Sequence, residues 1–366
     1  RGVGKTGVVG TLKVGSSNKA IGLRADMDAL PMDELNSFAH KSQYPGCMHG
    51  CGHDGHTVML LAAARYLAQS KHFDGTVQFI FQPAEEANEV GSGAKAMIEE
   101  GLFDRFPVDN VFALHNAPDL FAGVIATRPG AMTASMDLFE VTIQGKGSHG
   151  AFPHEANDPI VLATQLVSAW QTIISRNVSA QDTAVLSVTS IQSGDSWNVI
   201  PESAVIKGTV RTLSPAARDL IQKRFHAIAN NISNAFGAKI DMHYRRYLPG
   251  CVNDGEQTTF ACDVADSIFG EDRVLRNMPP DMGSEDFAYL LQERPGCYLI
   301  IGAASVPENE DPLKGKNTHE VADQEHFVFK NACLLHQPDY DFNDDIIPLG
   351  ATLFVRLAEC YLSPDE

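Results

Sequence analysis

A strand-helix pattern that breaks off and later resumes constrains this chain more than any other feature. Residues 75–81 (GTVQFIF) and 110–114 (NVFAL) are near-continuous apolar runs, with a helical segment over 93–100 between them. Strands apolar on both faces belong in a mostly parallel sheet covered by helices. Further strands are expected at 8–14 and 20–24, on either side of the turn GSSNK, and a helix running to about residue 69. Near residue 129 the pattern changes. Strands at 136–145, 184–192, 204–212 and 239–247 alternate with long amphipathic helices at 159–175 and 215–236. The order β, α, β, β, α, β is a split βαβ sandwich, complete in itself. The first pattern then returns, with helices expected at 256–268, 285–292 and 347–362, a strand at 296–301 and a polar loop at 304–327. We therefore expect an α/β domain with a mostly parallel sheet, built from residues 1–130 and 248–366. A ferredoxin-like α+β domain, residues 131–247, is inserted into it. A chain of 366 residues favours two domains on length alone.

The chemistry concentrates at residues 48–57, MHGCGHDGHT, which hold three histidines, one cysteine, one aspartate and three glycines. Glycines let a loop fold tightly enough for thiolate and imidazole donors to converge on one ion. Cys51 and His53 supply two donors, and His49 and His56 are further candidates. Glu85 and Glu86 follow a buried strand through Gln82-Pro83. Adjacent carboxylates repel unless a cation or proton compensates, and on an extended segment they point opposite ways. One is expected to bind metal and the other to act on water. His115 ends the strand 110–114, and His336 lies far along the chain among acidic and aromatic residues. Asp26 or Asp28, after the strand 20–24, could hold a ligand histidine in the right tautomer. In open α/β sheets such groups gather beyond the carboxyl ends of the strands.

Composition excludes more than it identifies. A net charge of −18 argues against nucleic acid or an anionic membrane as partner. No apolar run is long enough to span a bilayer, and RGVGKTGVV lacks a signal-peptide core, so cytoplasmic residence is expected. Seven scattered cysteines fit a reducing compartment. GVGKT lacks the earlier glycine of a phosphate-binding loop, and no G-X-S-X-G elbow is present.

The motifs RADMDALPMDE, MHGCGHDGHT, FQPAEE, ALHNAP, GKGSHGAFPH, NVIPES, GSEDF and LHQPDYDFND occur in this order. The chain thereby resembles, over nearly its whole length, the metal-dependent amidohydrolases that include hippurate hydrolases, N-acyl-amino-acid amidohydrolases and auxin-conjugate hydrolases. These are relatives of the dinuclear metallo-exopeptidases. The resemblance implies that Cys51, His53, Glu86, His115 and His336 bind two divalent metal ions, manganese ahead of zinc. It implies that Glu85 is the general base and that Asp28 supports a ligand from behind. The inserted domain is expected to be a lid and dimerisation domain, whose His149, assisted by Asn198, reaches an active site. Exopeptidase relatives carry histidine where this chain has Asp26, so that ligand is absent and the cysteine loop is expected to replace it. Family members also open with a helix and a strand ahead of GTGVVG-like residues, and this sequence begins at that stretch, so the segment is expected either to have been trimmed or to be lost.

The expected reaction is hydrolysis of N-acyl-L-amino acids by a metal-activated water, with a homodimer as the expected assembly. Two other readings share these residues. One is a dipeptidase or exopeptidase; the other is a metal-binding protein without catalysis, which would not need Glu85.

Overall fold

The computed structural model describes residues 1–86, 91–305 and 333–363. The described residues divide into two compact units, one of residues 1–132, 251–279 and 286–363, the other of 133–250 and 280–285. Most of the expected polar loop at 304–327 lies outside the described residues.

The first unit is organised on a seven-stranded sheet. Val8–Val14 (β1) and Ala20–Asp26 (β2) form where expected, but they do not pair with each other. Gly75–Gln82 (β3) lies between them, antiparallel to β1 and parallel to β2. Asn110–Phe121 (β4) runs parallel to β2 on its other side, and the strand Gly296–Ala304 parallel to β4. Two short strands, Ile125–Ala126 and Val274–Leu275, complete the edge. The near-continuous apolar runs follow from helices on both faces. Ile21, Leu23, Val77, Phe79, Phe112 and Leu114 point into one core. There they meet the helices His53–Ser70 (α1), Gly255–Phe269 and Ile347–Tyr361. Ile80, Val111 and Ala113 point the other way, against Ala94 and Met97 of the helix Gly93–Glu99 (α2) and against Phe287 and Leu290.

Three expectations shift in detail. Residues 53–57 are not loop but the first turns of α1, because Gly52 adopts a left-handed φ of 85° and the helix starts at His53. His115 does not end its strand; β4 continues to Phe121, paired with the strand Gly296–Ala304. The helix expected at 285–292 is the shorter Ala288–Glu293.

The second unit has its own four-stranded antiparallel sheet. Its strands lie in the order Lys239–Leu248, Ser135–Gln144, Ser203–Thr212, Ala184–Gln192. Buried and half-buried residues alternate along Ser135–Gln144, as a sheet covered on one face requires. The helices Pro159–Arg176 and Pro215–Phe236 start at the caps Asp158 and Ser214. Trp170 stacks on Phe225 at 4.2 Å between ring centres, and both are fully buried with Ile143, Leu166 and Ile206.

Candidate metal centre

Three adjacent parallel strands deliver the site. Asp26 ends β2 and Asp28 follows it; Glu85 and Glu86 lie just past the end of β3. His115 sits on β4 two residues beyond the last pairing of β4 with β2, which is Arg24 with Ala113. A strand that overshoots its neighbour thus brings its histidine to the neighbour's carboxyl end. Two turns in left-handed backbone aim the remaining groups. Ala84, at φ 53°, turns the chain ahead of Glu85-Glu86, and His336 itself has φ 63°. Both are non-glycine residues in a costly conformation, of the kind that collects at functional sites.

The donors converge. Cys51, His53 and Glu86 each offer a ligand atom within 4.8 Å of the others. Cys51 Sγ lies 3.6 Å from His115 Nε2, and His336 Nε2 lies 2.9 Å from Glu86 Oε1. The five expected ligands are therefore brought together. Asp28 stands behind them: its carboxylate contacts His53 Nδ1 at 3.3 Å and accepts the Glu86 backbone N–H at 2.9 Å. Glu85 accepts a long hydrogen bond, 3.4 Å, from the backbone N–H of Asp286. His149 and Asn198 belong to the second unit, where they neighbour each other. His149 pairs with Val199, and the Asn198 carbonyl accepts the Gly150 N–H at 2.7 Å.

Two observations show that these residues fit a metal ion. His53 Nε2 is buried and has no hydrogen-bond partner, an atom left over once Nδ1 is engaged by Asp28. His115 Nδ1–H donates to the Asn116 carbonyl at 2.8 Å, which leaves the Nε2 lone pair facing Cys51. A neighbour on one ring nitrogen that fixes the ligating tautomer of the other is the usual support of a metal-bound histidine.

The electrostatics of the metal-free site point the same way. Burial pushes the Cys51 thiol far up, and the charges of Glu86, Asp26 and Glu85 push it further. Burial works against His53 carrying a proton, yet Asp26, Asp28 and Glu86 outweigh it and raise its pKa to about 9. His115 is lowered to about 3, by burial first and then by His56. Burial also opposes ionisation of Asp28, but His53 and the backbone N–H groups of Glu86 and Glu85 hold its carboxyl below the usual range. A divalent cation reverses this logic, because its own charge deprotonates a coordinating thiol.

Sequence reasoning missed the polar network beneath the donors. Arg24 is fully buried, bonded through its guanidinium to Asp26 at 2.9 Å, Gln82 at 2.9 Å and Asp286 at 3.1 Å. Asp286, from the GSEDF motif, also accepts the Ser92 hydroxyl at 2.7 Å and the Ala94 N–H at 3.1 Å at the start of α2. His56 is buried and bridges Asp26 to Asn116. The spacing of His53 and His56, one helical turn apart, was the available signal.

A doubly covered, mostly parallel sheet with carboxylate, imidazole and thiol donors at its carboxyl edge is an arrangement that suits a metal-dependent hydrolase, and comparison with known proteins agrees. The model of Peptidase family M20/M25/M40 matches residues 22–317, and the chain belongs to this family. It is an enzyme acting on amide bonds, of the amidohydrolase group. It is 40% identical to the hippurate hydrolase of Campylobacter jejuni over 360 residues, 98% of this chain and 86% of that protein. With the N-acetyl-L-cysteine deacetylase of Bacillus subtilis it shares 39% identity, covering 90% of this chain and 77% of the relative. Among solved structures, the YXEP protein of Bacillus subtilis, described as a dinuclear metal binding peptidase of family M20, superposes with a TM-score of 0.77. That match has 32% identity and covers 98% of this chain and 85% of that one. Among the described residues, no helix is long and apolar enough to cross a membrane.

Proposed function

We propose that the protein hydrolyses the amide bond of N-acyl-L-amino acids, releasing a carboxylate and a free amino acid. Cys51, His53, Glu86, His115 and His336 would hold two divalent metal ions, manganese ahead of zinc. The observation that carries this reading is the convergence of thiol, imidazole and carboxylate around His53 Nε2, which has no hydrogen-bond partner and lies 3.7 Å from Asp26 Oδ2. The relatives named for hippurate and N-acetyl-cysteine support the substrate class.

When bound, the ions would polarise the carbonyl and lower the pKa of water to near neutrality. Glu85 takes the proton from the attacking water and delivers it to the leaving amine nitrogen, a role for which it must stay uncoordinated. The Asp286 backbone N–H steadies one of its oxygens. Asp28 holds His53 and the Glu86 backbone in register. Two negative ligands, the Cys51 thiolate and Glu86, leave the site net positive toward an anionic substrate. His149, with Asn198 beside it, is assigned to the developing oxyanion, and the second unit to covering the site and to pairing two copies. All seven cysteines are free, which supports residence in the cytoplasm.

A substrate panel tests the reading. With manganese or zinc added, hippurate and N-acetyl-amino acids should exceed dipeptides in kcat/KM by at least about tenfold. A preference for dipeptides would move the assignment to an exopeptidase. Metal uptake without turnover of any of them would leave a metal-binding protein.

A further inference from the structure

We propose that the buried pair His56–Asn116 is a positioning device for the metal centre. It sets which nitrogen of His115 faces the ions and anchors the segment that carries His336. The inference rests on the metal reading above.

His56 belongs to the histidine-rich stretch and stands close to Asp26, His53 and His115, with ligand-type atoms within 4.8 Å of one another, but both of its ring nitrogens already have hydrogen-bonding neighbours. Nδ1 lies 2.6 Å from Asp26 Oδ1, while the other oxygen of Asp26 accepts from Arg24 at 2.9 Å. With Nδ1–H given to Asp26, Nε2 accepts the Asn116 backbone N–H at 3.0 Å, and the side-chain amide of the same residue lies 2.6 Å from it. The Asn116 carbonyl in turn accepts the His115 Nδ1–H at 2.8 Å. Its side chain contacts the Tyr340 hydroxyl at 2.7 Å.

Asn116 is therefore a hub with three functions. Its backbone nitrogen is held from α1, its carbonyl fixes the tautomer of His115, and its side chain fastens Tyr340. Tyr340 lies four residues beyond His336, whose own side chain is about half exposed. Its ring is held from one end by Glu86, and its backbone N–H donates to the Gly50 carbonyl at 2.8 Å. The same segment is tied at the Pro338 carbonyl by the Leu35 N–H at 2.7 Å and at the Tyr340 carbonyl by Asn36 at 2.9 Å, and the Asn116 contact joins it to β4.

Stability alone gives no reason for this chain of groups. Arg24, Asp26 and His56 are 0% exposed, Asn116 1% and Tyr340 2%. Burying charged and polar groups costs desolvation that apolar residues of similar volume avoid. What a hydrogen-bonded polar network supplies instead is rigidity. Here that rigidity passes to three donor-bearing segments at once: the start of α1, β4, and the stretch around His336.

The test uses the full-length chain stripped of metal and loaded with cobalt(II). Thiolate-to-cobalt absorption reports Cys51, the visible bands report geometry, and chelator competition gives affinity. His56→Phe should weaken cobalt binding 10- to 100-fold and shift the visible bands. His56→Gln, which keeps polar atoms on both sides, should recover most of the affinity. Tyr340→Phe, the removal of one hydroxyl, should give a smaller loss with the same direction of spectral change. Melting of the metal-free variants separates packing from positioning. A lowered melting temperature with an unchanged cobalt spectrum and affinity would mean that the network only supports the fold, and would overturn the proposal. Should His56→Phe fail to fold, Tyr340→Phe decides, and wild-type affinity and spectrum there would overturn it equally. Failure of the unaltered chain to take up cobalt would overturn the metal reading and this inference with it.

Discussion

Glu85 and Glu86 differ only in what surrounds them, and that difference divides their work. Glu86 meets the imidazole of His336 and shares a donor cluster with Cys51 and His53, whereas Glu85 is steadied by a backbone N–H. Glu85→Gln should therefore lower kcat by about 10²- to 10⁴-fold, the usual worth of a general base. Metal content measured by elemental analysis should not change. Cys51→Ser should do the reverse first, reducing metal occupancy before any effect on the chemistry is separable. The protonation states give a third expectation. With a folded pKa of about 9, the His53 imidazolium contributes stability to the metal-free protein that is fully present below its unfolded pKa and lost as pH rises through 9. His115, lowered to about 3, contributes oppositely: its contribution is present above the unfolded value and lost as pH falls toward 3. The metal-free protein should thus melt highest near neutrality. Metal binding must expel the protons of His53 and Cys51, so loading should release on the order of two protons at pH 7.5. Titration calorimetry in buffers of different ionisation enthalpy reads that number; no release would contradict the pairing of these residues with an ion.

At the scale of elements, the start of α1 is the most constrained place in the site. A Cβ at Gly55 would lie 2.2 Å from the Phe342 ring, and one at Gly52 would lie 2.6 Å from the Asn116 amide oxygen. The glycines of the motif are there so that the 340–342 stretch and β4 can approach the helix. Gly55→Ala should destabilise by about 1–3 kcal/mol through overpacking, read as a lower denaturant midpoint, and should loosen metal binding with it. The same place shows what the sequence made legible. Apolar runs at 75–81 and 110–114 announced buried parallel strands, because two-sided burial leaves no polar alternation. The alternation of 136–145 announced a one-sided sheet. The start of α1 was harder to read, since a left-handed glycine ahead of a helix looks like more glycine-rich loop. The placement of β1 beside β3 rather than β2 was also hidden, because strand order depends on crossovers and not on local pattern. The donors could be named from residue type and order, and His56 was among the candidates, but its bridging role and the parts played by Arg24, Asn116 and Asp286 could not. A buried polar residue resembles a surface one until its partners, 2 to 262 positions away, are in place.

At the scale of the molecule, the second unit carries its own core of Trp170, Phe225, Ile143 and Ile206. Such a core is what lets a domain fold alone. Residues 133–250 joined through a short linker to 280–285, the whole of that unit, should unfold in one cooperative transition. If pairing of two copies runs through this unit, the fragment should also sediment as a dimer. The first unit holds the whole proposed ligand set, so its metal chemistry and its substrate class can be examined together on the full chain. The most direct measurement is hippurate hydrolysis by protein stripped with a chelator and then reloaded with manganese or zinc. Turnover should vanish on stripping, return in proportion to metal bound, and saturate near two ions per chain. Hydrolysis that persists in the metal-free protein, or that never appears in the fully loaded one, would contradict the account.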